Sequence, residues 1–131
     1  METKSATQTG RGPAAIHRGD IFWVVPDEER GSVPAIAHPY VVIQDDVFNR
    51  SRIHTVVVCA MTSNLKRAGE PGNVLLEAGE GNLPRQSVLV VSQVSSVEKA
   101  QLGEYIGTLS DERVEQVLAG MRFQQASFFN R

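Results

Sequence analysis

The chain has 131 residues, and its 13 lysines and arginines against 15 aspartates and glutamates give a formal net charge of -2 at pH 7. A hydrophobic content of 41% and a charged content of 21% are close to globular averages, which excludes a fibrous or wholly disordered protein and indicates one domain with one core. The slightly acidic balance excludes a generally basic nucleic-acid coat, so contact with nucleic acid requires a local basic patch.

The first 16 residues are mostly threonine, serine, glutamine, glycine, proline and other small or polar residues with scattered charges. Such a composition cannot bury enough apolar surface to become ordered, so we predict a flexible tail over residues 1–16 and a single domain over residues 17–131. The start of the chain lacks the apolar core of a secretory signal, and no segment reaches the ~18 apolar residues that cross a bilayer. We therefore expect a cytoplasmic protein with no membrane partner.

Short runs of β-branched and aromatic residues, each bounded by polar, glycine or proline residues, predict five to six strands. The runs are Ile21–Val25, Tyr40–Gln44, Thr55–Met61, Asn73–Glu77, Ser87–Val91 and Tyr105–Leu109. The second and third are nearly free of charge, as is typical of strands buried on both faces of a small barrel. Residues 26–37 are predicted to form a long and therefore functional loop, and Ser92–Ser96 a polar rim after the fifth strand.

A C-terminal helix is predicted from Asp111 to about Gln125. Ser110 is a suitable N-cap, and the acidic residues after it suit the positive end of the helix dipole. Apolar residues recur three or four apart and form one stripe that packs on the sheet. The stripe consists of Val114, Val117, Leu118 and Met121. Strands followed by a helix give a mainly β, α+β fold with a strongly curved sheet or small barrel.

The polar residues that flank the second and third strands are the first candidates for a site, because the ends of rigid strands hold side chains in fixed positions. His38 lies between the long loop and a buried strand, and histidine exchanges protons near neutral pH. Thr62, Ser63 and Asn64 end the third strand together. They either cap the turn that follows or face a ligand at this rim.

Five cations fall on the links between strands, where they either meet at one rim or simply solubilise the surface. They are Arg50, Arg52, Lys66, Arg67 and Arg85. Together they would bind phosphate without making the whole chain basic. Phe22 and Trp23 are neighbours on the first strand, so one of the two faces outward and is available to stack on a base or a partner.

Other chemically reactive residues have structural interpretations. Asp45 and Asp46 are adjacent, and adjacent residues of an extended chain point to opposite faces, which favours turn capping over a paired acid-base or metal site. Cys59 lies inside an apolar run and is expected to be a buried thiol. The sequence holds no phosphate-binding glycine loop and no metal-binding motif, so no cofactor and no metal ion are predicted.

Taken in order, several short motifs resemble the MazF/PemK toxins of bacterial toxin-antitoxin modules. The motifs are Arg18-Gly19-Asp20-Ile21, Pro39-Tyr40-Val41-Val42-Ile43, Phe48-Asn49-Arg50, Val56 to Thr62-Ser63, Ser92-Gln93-Val94 and Ile106-Gly107-Thr108-Leu109-Ser110. The resemblance covers about residues 17 to 125, in order and with similar spacing. It implies an SH3-like barrel of five to six strands with a C-terminal helix, and a homodimer.

The same resemblance implies the activity and the partners. It implies a toxin that cleaves single-stranded mRNA without metal, by attack of the 2′-hydroxyl on the neighbouring phosphate. It also implies an antitoxin whose extended acidic tail occupies the RNA groove. We predict His38 and Thr62 as the catalytic residues. The predicted RNA-contacting residues are Asn49, Arg50, Ser63, Lys66, Arg85 and Gln93.

One position departs from the family pattern. Members of the family commonly carry Arg-Pro before the second strand, whereas this chain has His38-Pro39. Histidine can accept a proton, donate one or, when charged, stabilise a phosphate, so cleavage can persist with a different division of roles. Two alternatives stay open: a weakly active or inactive barrel that still binds antitoxin or RNA, and a toxin of the same fold that acts on DNA gyrase.

Overall fold

The computed structural model describes residues 15–25 and 37–129, with side chains up to residue 126. Within these residues, six strands form one antiparallel sheet, and a long helix follows them. The elements are β1 (Asp20–Val24), β2 (His38–Val42), α1 (Asp46–Asn49), β3 (Thr55–Thr62), β4 (Val74–Leu76), β5 (Ser87–Glu98), β6 (Leu102–Thr108) and α2 (Asp111–Phe129). Short 3₁₀ turns lie at Leu65–Gly69, Glu80–Asn82 and Lys99–Gln101. The predicted long loop lies outside the described residues except at Ala37.

The strand order in the sheet is β4-β5-β3-β2-β1-β6, and the paired strands are antiparallel. β2 and β3 carry almost no charge because each supplies residues to apolar clusters on both faces of the sheet. The predicted mainly β fold, a small barrel-like sheet with a C-terminal helix, is confirmed. Within the described chain β4 and β6 remain edge strands, so the sheet curves without closing into a fully hydrogen-bonded barrel.

β5 is the longest strand and corrects one prediction. The sequence indicated a strand that ends at Val91 and a polar rim at Ser92–Ser96, but β5 continues to Glu98. Within β5, residues 90–93 stand opposite Ala60 alone, an irregularity that bends the strand. The polar residues belong to the exposed second half, whose backbone still pairs with β3. Side-chain composition could not reveal this pairing, because the partner strand supplies it.

The sheet has an apolar cluster on each face. One cluster includes α2 residues and contains Ile21, Val41, Ile43, Cys59, Met61, Val74, Leu76, Leu83, Leu89, Val91, Leu109, Val114 and Val117. The other contains Ile16, Phe22, Val24, Val42, Val56, Val58 and Leu102. Neighbouring residues such as Val41 and Val42 fall in different clusters because a strand alternates its faces. Ile16 is only 8% exposed, so the packed domain begins at least one residue before the predicted boundary.

α2 begins where the sequence predicted. Ser110 Oγ accepts a hydrogen bond from the main-chain amide of Arg113 (3.2 Å), which confirms the N-cap. Val114 and Val117 are buried against the sheet, which confirms the apolar stripe. Gly120 allows the closest approach of α2, because a Cβ there would collide with the main-chain oxygen of Gly72. No helix in the described part of the chain combines the length and apolarity that a membrane span requires.

Candidate functional site

His38 and Thr62 lie at the same end of the paired strands β2 and β3. His38 is the first residue of β2, Thr62 is the last residue of β3, and the two strands run antiparallel. Tyr40 pairs with Ala60, and the same register continued by two residues places His38 opposite Thr62. Directly opposite residues of an antiparallel pair have Cβ atoms about 5 Å apart. The structure therefore brings the two predicted catalytic residues together.

Both residues line a cavity of about 490 Å³, which we call the strand-end cavity. Its polar wall residues are His38, Thr62, Ser63, Arg85 and Ser87, and its apolar ones are Trp23, Ala37, Pro39, Met61, Leu83, Pro84 and Ile106. Two of the predicted RNA-contacting residues, Ser63 and Arg85, thus share a cavity with the predicted catalytic pair. The cavity combines a polar side with an apolar side.

The polar groups of the strand-end cavity are only partly hydrogen-bonded. Thr62 Oγ1 accepts a hydrogen bond from the Asn64 amide (3.1 Å), and Asn64 Oδ1 accepts one from the Lys66 amide (3.2 Å), so both side chains cap the turn after β3. The Thr62 hydroxyl proton has no acceptor among the described residues. The side chains of His38 and Arg85 are exposed and have no hydrogen-bond or ion-pair partner within that part of the chain.

Lys66 and Gln93 lie outside the cavity wall. Lys66 belongs to the 3₁₀ turn that follows Asn64, at the same end of the sheet, and its side chain is exposed. Gln93 is exposed in the irregular part of β5. Arg67 is the least available of the nearby cations, because its guanidinium is paired with the Glu70 carboxylate at 2.9 Å. Lys66 and Gln93 therefore remain predicted RNA contacts at the edges of the site.

Asn49 and Arg50 lie at the other end of the strands. α1 follows β2 and precedes β3, so it is remote from His38 and Thr62. β3 has eight residues, which at about 3.3 Å per residue separate its two ends by roughly 25 Å. The prediction that Arg50 and Arg52 share a rim with the other cations is therefore wrong within one chain.

Asn49 is 6% exposed, and its amide group is used inside the domain. Nδ2 donates to the main-chain oxygen of Gln44 (2.9 Å) and to Asp46 Oδ1 (3.0 Å), while Oδ1 accepts from Gln44 Nε2 (2.9 Å). Asp45 Oδ1 accepts a hydrogen bond from the Val47 amide (2.8 Å), which confirms the capping interpretation. The RNA-contacting set therefore excludes Asn49, whose side chain holds α1 in place.

A second cavity, of about 670 Å³, lies beside α1. It is lined by Ala15, Ile16, His17, Asn49, Arg50, Ser51, His54, Glu98, Lys99 and Ala100. Lys99 Nζ donates to the main-chain oxygens of Asn49 (3.2 Å) and Ser51 (3.3 Å). Next to the cavity, the Arg18 amide and the Asn49 side chain donate to Asp46 and hold the pKa of its carboxyl below the usual range. Asn49, Asp46 and Lys99 are therefore engaged in hydrogen bonds within the domain.

Cys59 is confirmed as a buried thiol. Its Sγ donates to the main-chain oxygen of Val90 at 3.2 Å, and burial raises the pKa of the thiol to about 12. A thiol in that state is neither a nucleophile nor a metal ligand at neutral pH. The described residues contain no group of three or more histidine, cysteine, aspartate and glutamate side chains placed to hold a metal ion.

The strand-end cavity offers the groups that binding and activating a phosphodiester would require. It offers an imidazole that can exchange a proton, a hydroxyl that can donate a hydrogen bond, and a guanidinium that can pair with a phosphate. These three groups come from His38, Thr62 and Arg85.

Sequence reasoning missed most of the apolar wall. Leu83, Pro84 and Ile106 are distant in sequence from β2 and β3, and only the folded sheet brings them to the cavity. On β1, the sequence left open whether Phe22 or Trp23 faces outward. Phe22 is 1% exposed and Trp23 is 36% exposed, so Trp23 is the outward-facing aromatic residue.

Comparison with family models gives a match over residues 17–124 to the PemK-like, MazF-like toxin of type II toxin-antitoxin system. Endoribonuclease MazF6 from Mycobacterium tuberculosis is 37% identical over 107 residues, which cover 82% of this chain and 94% of that relative.

Solved structures show the same fold. An endoribonuclease in complex with its cognate antitoxin, from Mycobacterial species, has a TM-score of 0.68 and 19% identity, with 86% of this chain and 96% of that chain covered. A MazE-MazF complex from Deinococcus radiodurans has a TM-score of 0.71 and 18% identity, with 86% and 96% covered.

Proposed function

The chain belongs to the PemK-like, MazF-like toxins of type II toxin-antitoxin systems, and from this we propose that it is an endoribonuclease that cleaves single-stranded mRNA. The observation that carries the proposal is that His38, Thr62 and Arg85 line one cavity, where β2 begins and β3 ends. The M. tuberculosis relative is named an endoribonuclease and spans the same domain.

The reaction that fits these groups is an internal phosphoryl transfer without metal. The ribose 2′-oxygen forms a bond to the adjacent phosphorus, and the bond from phosphorus to the 5′-oxygen breaks. The products are a 2′,3′-cyclic phosphate and a 5′-hydroxyl. His38 accepts the proton of the 2′-hydroxyl, and water protonates the leaving 5′-oxygen. Thr62 donates a hydrogen bond to a phosphate oxygen, and Arg85 offsets the negative charge that develops there.

The expected partner is an antitoxin, because a solved structure with the same fold is an endoribonuclease in complex with its cognate antitoxin. We propose that an extended acidic segment of the antitoxin competes with RNA for the exposed cations around the strand-end cavity. Two copies of the chain form the working toxin, and the toxin acts in the cytoplasm on mRNA.

The binding-only alternative has one observation in its favour. His38 is exposed, and no described side chain orients its imidazole, whereas an efficient general base is usually held by a second group. A barrel of this kind would bind RNA or antitoxin without cleaving RNA. The relatives named above are endoribonucleases, which gives no support to the gyrase alternative.

The deciding experiment incubates the purified chain with a long single-stranded RNA in the presence of EDTA. We expect defined fragments that end in 2′,3′-cyclic phosphates and begin with 5′-hydroxyls. Binding of the RNA without fragments, measured at the same protein concentration, would support the binding-only alternative. Cleavage that EDTA abolishes and added divalent metal restores would contradict the metal-free mechanism.

A further inference from the structure

We propose that the apolar side of the strand-end cavity is a nucleobase site and that Trp23 is its stacking surface. The site binds one unpaired base of the RNA, next to the phosphate that His38, Thr62 and Arg85 contact. This inference rests on the proposed ribonuclease function and extends it, because it assigns a substrate-binding residue that takes no part in proton transfer.

The backbone of β1 presents Trp23 to the cavity in a fixed position. Its neighbour Phe22 is buried in the core, so alternation along β1 sends the indole to the other face. Across the β1–β2 pair Trp23 lies opposite Pro39, which shares the cavity wall. On the other side β6 approaches so closely that a Cβ at Gly103 would lie 2.8 Å from the Trp23 main-chain oxygen. The indole is therefore carried on a strand that pairs with β2 on one side and with β6 on the other.

The surroundings of Trp23 suit a flat, largely apolar ring. Met61, Leu83, Pro84 and Ile106 line the same cavity, and none of them carries a charge. The volume of about 490 Å³ lies in the range of small-molecule sites. An exposed tryptophan next to aliphatic walls is a platform on which any base can stack, since every base has a π face.

The two sides of the cavity match the two ends of a nucleotide. Trp23, Pro39 and Met61 leave the sheet from one face, whereas alternation places His38 and Thr62 on the other, at the strand ends. A nucleotide likewise carries an apolar base and a charged phosphate on different sides of its ribose. The apolar side alone would also accept an aliphatic side chain of a protein partner. The exposed Arg85 and His38 beside it favour a ligand whose apolar group is attached to an anion.

The test uses the fact that Trp23 is the only tryptophan of the chain, so intrinsic tryptophan fluorescence reports on this residue alone. Cleavage sites are first mapped on a long transcript. A short RNA around one site is then made with 2′-deoxyribose at the nucleotide that precedes the cut, so that the RNA binds but lacks the attacking hydroxyl. A matched series replaces each base in turn by an abasic residue. Binding is measured independently by the anisotropy of a fluorescein label on the RNA.

We expect the intact RNA to quench Trp23 fluorescence along the same curve as the anisotropy change, and one abasic position to remove most of the quenching. Trp23→Ala should raise KM about 5- to 150-fold, the range that loss of one stacked base gives. Its kcat should change much less, because stacking holds substrate and transition state alike. Trp23→Phe should keep most of the affinity. Phe123→Ala is the control, since it removes an exposed aromatic ring that is not part of the cavity.

Two outcomes would overturn the base site. One is full RNA binding by anisotropy with no change in Trp23 fluorescence. The other is a folded Trp23→Ala variant whose KM stays within twofold of wild type. A chain that cleaves no RNA contradicts the ribonuclease proposal separately. The titration is then run with a long unmodified RNA, and a lack of quenching overturns the base site as well. Quenching by a synthetic acidic peptide alone would assign the cavity to a protein partner.

Discussion

The two ends of the central strands β2 and β3 use their polar residues in opposite ways. At the α1 end, the side chains of Asn49, Asp46 and Gln44 are bonded to one another or to nearby backbone. At the other end, which we call the cavity end because it holds the strand-end cavity, the side chains of His38 and Arg85 are exposed and unpaired within the described chain. A polar group that is already satisfied stabilises the fold, whereas one that only water satisfies is available to a ligand. These three side chains at the α1 end thus contribute stability, whereas His38 and Arg85 are available to the proposed ligand.

The largest effect is expected for a substitution at the cavity end, on the rate of RNA cleavage. His38→Ala should lower the rate of RNA cleavage by a factor of about 10² to 10⁴, the usual contribution of a general acid or base. Because His38 is exposed, the melting temperature should change little. His38→Arg, which restores the family residue, should retain cleavage if charge stabilisation dominates and lose it if proton transfer dominates. A folded His38→Ala variant with wild-type activity would remove this residue from the site.

Asn49→Ala should have the opposite effects: it should lower the stability of the fold and leave RNA cleavage nearly unchanged. It removes a buried amide, so Gln44 Nε2, the Gln44 main-chain oxygen and Asp46 Oδ1 each lose one hydrogen bond, at a cost of about 1–3 kcal/mol. Thermal unfolding should therefore start several degrees lower, while kcat/KM for RNA, measured well below the transition, stays near the wild-type value. The comparison of the two ends would fail if Asn49→Ala abolished cleavage in a protein of unchanged melting temperature.

Cys59 offers a local probe between the two ends. Its thiol is buried in the middle of β3 with its pKa raised to about 12, so a thiol reagent at pH 8 should modify the native protein only through opening of the structure. Asn49→Ala should accelerate the labelling, because it weakens packing and hydrogen bonding around α1. His38→Ala should label at the wild-type rate. Rapid labelling of the wild-type protein would show that the core is less closed than described.

The smallest effect concerns a satisfied pair beside the cavity wall. Arg113 donates two hydrogen bonds of 2.8 Å to Glu80, which ties the turn before Leu83 to α2 and holds the pKa of Glu80 below its usual range. A carboxyl group whose pKa is lowered in the folded protein stabilises the fold when the pH is above the ordinary carboxyl pKa. That stabilisation is lost as the pH falls through the lowered pKa. Glu80→Gln should therefore cost about 0.5–1 kcal/mol at pH 7 and flatten the loss of stability below about pH 4. Urea unfolding at pH 7 and pH 3 measures this. If the ion pair contributed nothing, the free energy of unfolding would change equally between the two pH values in Glu80→Gln and in the wild-type protein.

The sequence predicted the strands well because β-branched runs bounded by turn residues reflect local preferences. It also paired His38 with Thr62, since one residue precedes a strand and the other ends its antiparallel neighbour. The misplacement of Arg50 follows from the same geometry: a link between two antiparallel strands lies at the end opposite to their free ends. The apolar wall around Ile106 could not be predicted, because non-local packing assembles it.

The measurement that tests the account most directly is the single-turnover cleavage rate of Thr62→Val in the presence of EDTA. Valine keeps the shape and the strand preference of threonine but removes the hydroxyl that is proposed to donate to the phosphate. We predict a rate lowered by about 10² to 10³, as for loss of one donor to a developing oxyanion, with RNA affinity nearly unchanged. The melting temperature should fall only slightly, because the exposed Asn64 amide that loses Thr62 Oγ1 as its acceptor can bond to water. A folded Thr62→Val protein that cleaves RNA at the wild-type rate would contradict the assignment of the strand-end cavity as the site of the reaction.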